Sequence, residues 1–107
     1  MPREKFQTLT EQMFYILLCL REECCGMDIM ERVKVMTRSR VTVGPGTLYH
    51  LLDQFCEAGM IRETRSEGRR RSYILTQKGE TALRAEVARM KAQMQDYRAI
   101  FGEEDNR

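Results

Sequence analysis

Histidine is nearly missing from this chain: His50 is the one imidazole in 107 residues. No second histidine and no spaced pair of acids accompanies it on its predicted helix, so there is no metal-ligand set. A base, a nucleophile and a site to hold them are equally lacking. The expectation is therefore no enzyme, no cofactor and no metal. Long apolar runs are missing as well. None approaches the roughly 18 residues of a membrane span, and "MPREKFQTLTEQ" has neither the continuous apolar stretch nor the small-residue cleavage site of an export signal. A cytoplasmic location without membrane association is expected. Cys19, Cys24, Cys25 and Cys56 would be reduced there, and none stands in the paired C-x-x-C spacing of a structural zinc site. Cys19 and Cys56 lie on apolar stripes and read as small core residues. Cys24 and Cys25 could act as oxidant or soft-metal sensors only with a lowered thiol pKa.

The length allows one ordinary domain with a single core. Hydrophobic residues at 42% and charged residues at 32% suit a globular chain. The net charge of +2 conceals its distribution. Residues 32–40 hold Arg32, Lys34, Arg38 and Arg40 with no acid among them. Residues 65–71 hold Arg65, Arg69, Arg70 and Arg71 against Glu67, while Glu103, Glu104 and Asp105 offset them in the sum. A charge run is usually a solvated face, so position on the elements decides its meaning.

Thr8 and Glu11 have the spacing of a capping box, which predicts a first helix starting there, with Met13, Ile16, Leu17 and Leu20 on its buried face. Gly26 is expected to break it and open a short turn. A second helix follows from Met27, with Met30, Val33 and Met36 on one side and Arg32, Lys34 and Arg38 toward solvent. It fades near Ser39. In "VGPGTLYHLL" Pro45 suits the first turn of a third helix, because its missing N–H would have had no helical acceptor. Gly44 then serves as N-cap. Leu48, Leu51, Leu52, Phe55 and Cys56 form a broad apolar stripe, and Gly59 ends the helix. The outward side presents Gly46, Thr47, Tyr49, His50 and Asp53 beside an N-terminus that favours phosphate.

"MIRETRSEGRRRSYILT" reads as a hairpin of two strands around a Ser-Glu-Gly turn, projecting Arg69, Arg70 and Arg71 from its tip. A last helix is predicted from the N-cap Thr76 to about Phe101. At about 1.5 Å per residue, roughly 25 residues reach about 37 Å, more than the remaining core can cover. Leu83, Val87, Met90, Met94, Tyr97 and Phe101 alternate by four and three, the seam of two packed helices. The fold class is mainly α with a small β-hairpin: a winged helix-turn-helix followed by a long C-terminal dimerisation helix. Residues 1–76 are assigned to the DNA-binding domain, and 77–107 to the dimerisation helix and acidic tail.

"GPGTLYHLLDQFCEAGMI" followed by "GRRRSYILTQKGETAL" resembles the PadR family of bacterial transcription regulators, from about Leu9 to Leu83. There a P-G-T-L-Y helix precedes a G-R-R-R wing and an L-T-x-x-G boundary, and the short length fits the subgroup with one C-terminal helix. The resemblance implies a homodimer on an inverted-repeat operator in double-stranded DNA, usually a repressor released by a small-molecule effector or another signal. It implicates Pro45, Gly46, Thr47 and Tyr49 in the helix turn and Arg69, Arg70 and Arg71 in the wing as DNA contacts. Arg38, Arg40 and His50 join them from charge and position. Gly44 stands where many relatives have Ser or Thr, and His50 where many have Pro. Some short relatives hold flat aromatic drugs between facing tryptophans, and this chain has no tryptophan. Tyr97 and Phe101 read as interface packing, which leaves any effector unidentified. The alternative function is a winged-helix protein–protein adaptor, but an adaptor has no need of arginines at both the helix approach and the wing.

Overall fold

The computed structural model describes residues 6, 8–68 and 70–102. Its first helix, α1 (Glu11–Cys19), is capped by Thr10, whose side chain accepts from the Met13 N–H at 3.2 Å. The expected Thr8–Glu11 box is thus displaced by two residues. Thr10 is the threonine whose extended backbone lets its oxygen reach the third helical N–H. Ile16, Leu17 and Leu20 are buried as expected, whereas Met13 is half-buried.

The chain then forms β1 (Cys24–Cys25), a strand absent from the sequence reading, and enters α2 (Gly26–Met36) directly. Gly26 is accordingly the first residue of a helix and not a turn. The buried side of α2 is Gly26, Ile29 and Val33, with Met30 half-buried. Met27 and Met36 are exposed, so the predicted stripe was rotated by about one position. A tight connector follows in which Arg38 and Ser39 take positive φ. Thr37 holds it together: its buried hydroxyl lies 2.8 Å from the Val33 carbonyl and accepts from the Val41 N–H at 3.1 Å.

Next come α3 (Pro45–Glu57), β2 (Ile61–Glu67), β3 (Arg70–Leu75) and α4 (Gln77–Phe101). The hairpin β2–β3 runs in register from Ile61↔Leu75 to Glu67↔Arg70, with a bulge at Thr64. The sheet order is β1-β3-β2, all antiparallel, so the second hairpin strand is central. One core gathers Ile16, Leu17, Ile29, Leu48, Leu52 and Phe55 under this sheet. The family of shapes is a winged helix-turn-helix with a long extra helix.

Thr76 caps α4 as expected, accepting from Gly79 N–H at 3.2 Å. Gly79 is buried against the Met60 carbonyl. A Cβ there would lie 2.1 Å from that oxygen, so only glycine lets α4 approach the hairpin so closely. Glu86, with only 3% of its surface exposed, accepts from the Leu9 N–H at 3.1 Å and bonds Arg89. Beyond Arg89 every residue of α4 to Phe101 is exposed. No helix among the described residues is long and apolar enough to cross a membrane.

Candidate nucleic-acid interface

The beginning of α3 is bare. Gly44 occupies the N-cap with extended backbone and supplies no side-chain cap, Pro45 follows at the first helical position, and no acid stands in the first turn. A Cβ built on Gly44 or Gly46 meets nothing within 4 Å. Packing therefore does not demand these glycines. Their effect is to leave the first-turn N–H groups uncovered at the positive end of the helix dipole, where an anionic oxygen is favoured.

Leu48, Leu51, Leu52 and Phe55 anchor the inner face of α3, with Cys56 half-buried beside them. Pro45, Gly46, Thr47, Tyr49, His50 and Asp53 are exposed on the outer one. Tyr49 is 42% exposed and yet held in place. Its ring lies so close to the start of α2 that a Cβ on Gly26 would be 2.8 Å from Cε1 and 3.0 Å from the hydroxyl. Gly26 thus makes room for the tyrosine. Only the three-dimensional crossing of α2 and α3 reveals that role, and no local pattern signals it.

Arg38 and Arg40 lie exposed on the connector into α3. The Arg40 guanidinium donates to the Tyr15 hydroxyl at 3.2 Å, an anchor from α1 that sequence reading did not find. On the wing, Arg71 sits 3.6 Å from Glu63. Arg70 turns back toward the helical core, its Nη2 donating to Cys25 Sγ at 3.4 Å, while the Cys25 thiol donates to Asp28 at 3.3 Å. The picture of arginines projecting together from the tip is therefore corrected for Arg70, because the thiol gives its guanidinium a local acceptor. Arg69 lies outside the described residues. Tyr49 and Asp53 of α3 and Gly68, Arg71 and Tyr73 of the hairpin line one recess of about 360 Å³, so helix and wing face a shared space.

Burial pushes the Cys19 thiol up to about 11 and raises Cys24 as well. Such thiols are poor nucleophiles at neutral pH, and Cys24 belongs to the sheet. Among the described residues no group of three or more His, Cys, Asp or Glu side chains could hold a metal ion.

Of the seam residues, Leu83 and Val87 are half-buried, and Leu83 packs on the core. Met90, Met94, Tyr97 and Phe101 are exposed, with the Tyr97 and Phe101 rings stacked at 4.9 Å. Ile100, outside the four-three spacing and absent from the sequence-based list, is 80% exposed. A groove of about 700 Å³ runs between α1 and the first half of α4, floored by Phe14, Leu18, Leu83 and Val87 and edged by Arg21, Arg84 and Lys91.

The sequence profile of the transcriptional regulator PadR-like family matches residues 16–85. The chain belongs to the PadR family. PadR proteins are DNA-binding transcriptional regulators and not enzymes. Among solved structures, a PadR-like transcription factor from Bacteroides fragilis is 29% identical, with 81% of this chain and 86% of that chain covered and a TM-score of 0.70. A PadR family transcriptional regulator from Eggerthella lenta is 20% identical over 83% of this chain and 80% of its own, with a TM-score of 0.72. A transcriptional regulator from Clostridium thermocellum shares the fold at 19% identity and a TM-score of 0.72, covering 80% of this chain and 88% of that chain. No curated protein matches the sequence.

Proposed function

We propose that this PadR protein is a homodimeric repressor of an inverted-repeat operator, released by a small-molecule effector whose identity is open. The observation that carries the reading is the uncapped, acid-free start of α3, with exposed Arg38 and Arg40 on its approach and a shared recess with the wing on its far side. Cations on both sides of a bare helix end suit two phosphate walls with a groove between them.

In this reading Pro45, Gly46, Thr47, Tyr49 and His50 face the groove, and Arg38, Arg40, Arg69, Arg70 and Arg71 meet phosphates or the adjacent minor groove. Residues 1–76 supply DNA binding and 77–107 supply assembly through Leu83, Val87, Met90, Met94, Tyr97 and Phe101. The Arg70 tether to Cys25 exchanges for a phosphate contact, which is the stronger acceptor of the two. Repression follows if the operator overlaps a promoter.

Selection of duplexes from a random pool by the purified protein tests this. The expected result is an inverted repeat with half-sites about one helical turn apart. Equal affinity for every sequence would remove the operator reading.

A further inference from the structure

One carboxylate interrupts the basic surface. Between Glu31 and Asp53 the chain has no acid, and Asp53 is the first acid of α3. It is exposed on the outer face, one turn after Tyr49, in the recess that α3 shares with the wing. We infer that Asp53 is a specificity-determining residue whose carboxylate accepts a hydrogen bond from the N4 amino group of one cytosine in each half-site. This inference rests on the operator reading and deepens it.

Nothing within the chain accounts for an acid at this place. Among the described residues the Asp53 carboxylate has no hydrogen bond and no ion pair. Arg71, which lines the same recess, stands 3.6 Å from Glu63 of its own hairpin. The helix gains nothing either. Asp is a poor helix former away from the ends, and Glu57 repeats its charge four residues on, a destabilising spacing. Core packing is the work of Leu52 and Phe55 on the opposite face.

On duplex DNA the same carboxylate has one kind of favourable neighbour. Phosphate oxygens repel it and the sugars offer no donor, so only base amino groups remain. In the major groove these are cytosine N4 and adenine N6. Adenine sets the N7 acceptor beside its amino group, guanine presents N7 and O6, and thymine presents O4, whereas the cytosine edge offers the donor alone. A carboxylate therefore favours cytosine over the other three bases. Placement agrees with this chemistry. Tyr49 and Asp53 stand at i and i+4, neighbours on one helix face. The tyrosine ring is set against the start of α2, where a Cβ on Gly26 would have no room, and the apolar stripe from Leu48 to Phe55 fixes the rotation of α3. Where α3 lays Tyr49 on base edges, it lays Asp53 on the next ones. At any other sequence the carboxylate faces acceptors and phosphates, which lowers the indiscriminate affinity that the arginines alone would give.

Selection from a random duplex pool with the full-length wild type, Asp53→Asn and Asp53→Glu, followed by titration of the selected and of random duplexes, tests the assignment. The amide of Asn pairs a donor with an acceptor, which suits adenine N7 and N6. Asp53→Asn is expected to change one position of each half-site from cytosine to adenine. It should bind the wild-type site about 10-fold more weakly, the scale of one mismatched base pair, and bind random duplex more tightly than wild type does. Asp53→Glu keeps the carboxylate and should keep the cytosine. The residue is exposed and the Asn variant isosteric, so folding is preserved. A half-site unchanged at every position in Asp53→Asn would overturn the proposal while leaving the operator reading intact. A uniform change in affinity for all sequences that disappears when Arg71→Ala is added would also overturn it, because Asp53 would then act only by supporting the wing. A wild-type protein without sequence preference would remove the proposal and the operator reading together.

Discussion

The two halves of α4 are one continuous helix with opposite circumstances. From Gln77 to Arg89 the helix is fixed by a glycine against a carbonyl, by Leu83 in the core and by a carboxylate that closes the N-terminal segment. From Met90 to Phe101 every residue is exposed, yet methionines and aromatic rings recur at regular spacing. A 25-residue helix can be continuous without being evenly supported. Most helical stability comes from packing of a face. In the second half such packing comes only with the proposed dimer, so the two halves should respond to different insults.

The largest effect is expected in the first half. Gly79→Val places side-chain atoms where the Met60 oxygen already stands, and should cost about 3 kcal/mol or more of folding stability through forced separation of α4 from the hairpin. Chemical denaturation measures it; a change below about 0.5 kcal/mol, the scale of a neutral surface substitution, would mean the close approach is not tight.

Met94→Lys addresses the other half. Removing from each copy a methionine that the proposed dimer would bury, at roughly 1.5 kcal/mol or more apiece, should raise the dimer dissociation constant by about 100-fold or more. The winged core should melt as before. Sedimentation and a DNA titration together check it, and a wild-type dimer with unchanged DNA affinity would mean the seam is misassigned.

A smaller loss is expected at Glu86, which joins the first half to the N-terminal segment. Glu86→Leu leaves the Leu9 N–H without its acceptor, at about 1–3 kcal/mol. The bond with Arg89 and the Leu9 N–H hold the Glu86 carboxyl below its ordinary value of 4.5, against burial. Its folded pKa is depressed, so its stabilisation is complete above that value and fades as pH falls through the lower folded one. The stability gap between wild type and Glu86→Leu should therefore narrow on acidification below about 4.5. A gap that stays constant to pH 2 would show that the carboxylate charge contributes nothing.

The smallest effect lies on the wing and leaves stability alone. Arg70→Ala should weaken binding to all DNA sequences alike and reduce the slope of log affinity against log salt by about one unit. Salt titrations of both proteins decide it, and an unaltered slope would mean that Arg70 remains on Cys25 in the complex.

Much of this was legible from residues alone where the local chemistry permits only one solution. Gly-Pro-Gly before an apolar stripe identified α3 with its cap, and Thr76 identified the start of α4. The 4-3 spacing of six apolar residues on α4 was visible in the same way, and the seam it suggests belongs to the proposed dimer. What escaped notice depends on partners distant in sequence. A two-residue strand carries no alternation, so Cys24–Cys25 had no signature as β1. Gly26 looked like punctuation because Tyr49, which needs its empty space, comes 23 positions later. Glu86 carried no local signal, since its acceptor role requires Leu9, 77 residues earlier. Thr8 met the capping-box spacing with Glu11, whereas Thr10 stands three before Met13, so only backbone geometry reveals Thr10 as the cap.

The order of the sheet has one more consequence. Because β1 runs straight into α2 and is bonded to β3, the wing shares hydrogen bonds with the root of the helix-turn-helix. The gap between α3 and the wing behaves as a caliper with riveted jaws, its opening set before anything is placed between them. Changing that opening would mean tearing strand bonds. In the proposed dimer, changing the angle between two such calipers asks only that two helices slide, which makes that junction the cheaper one to move.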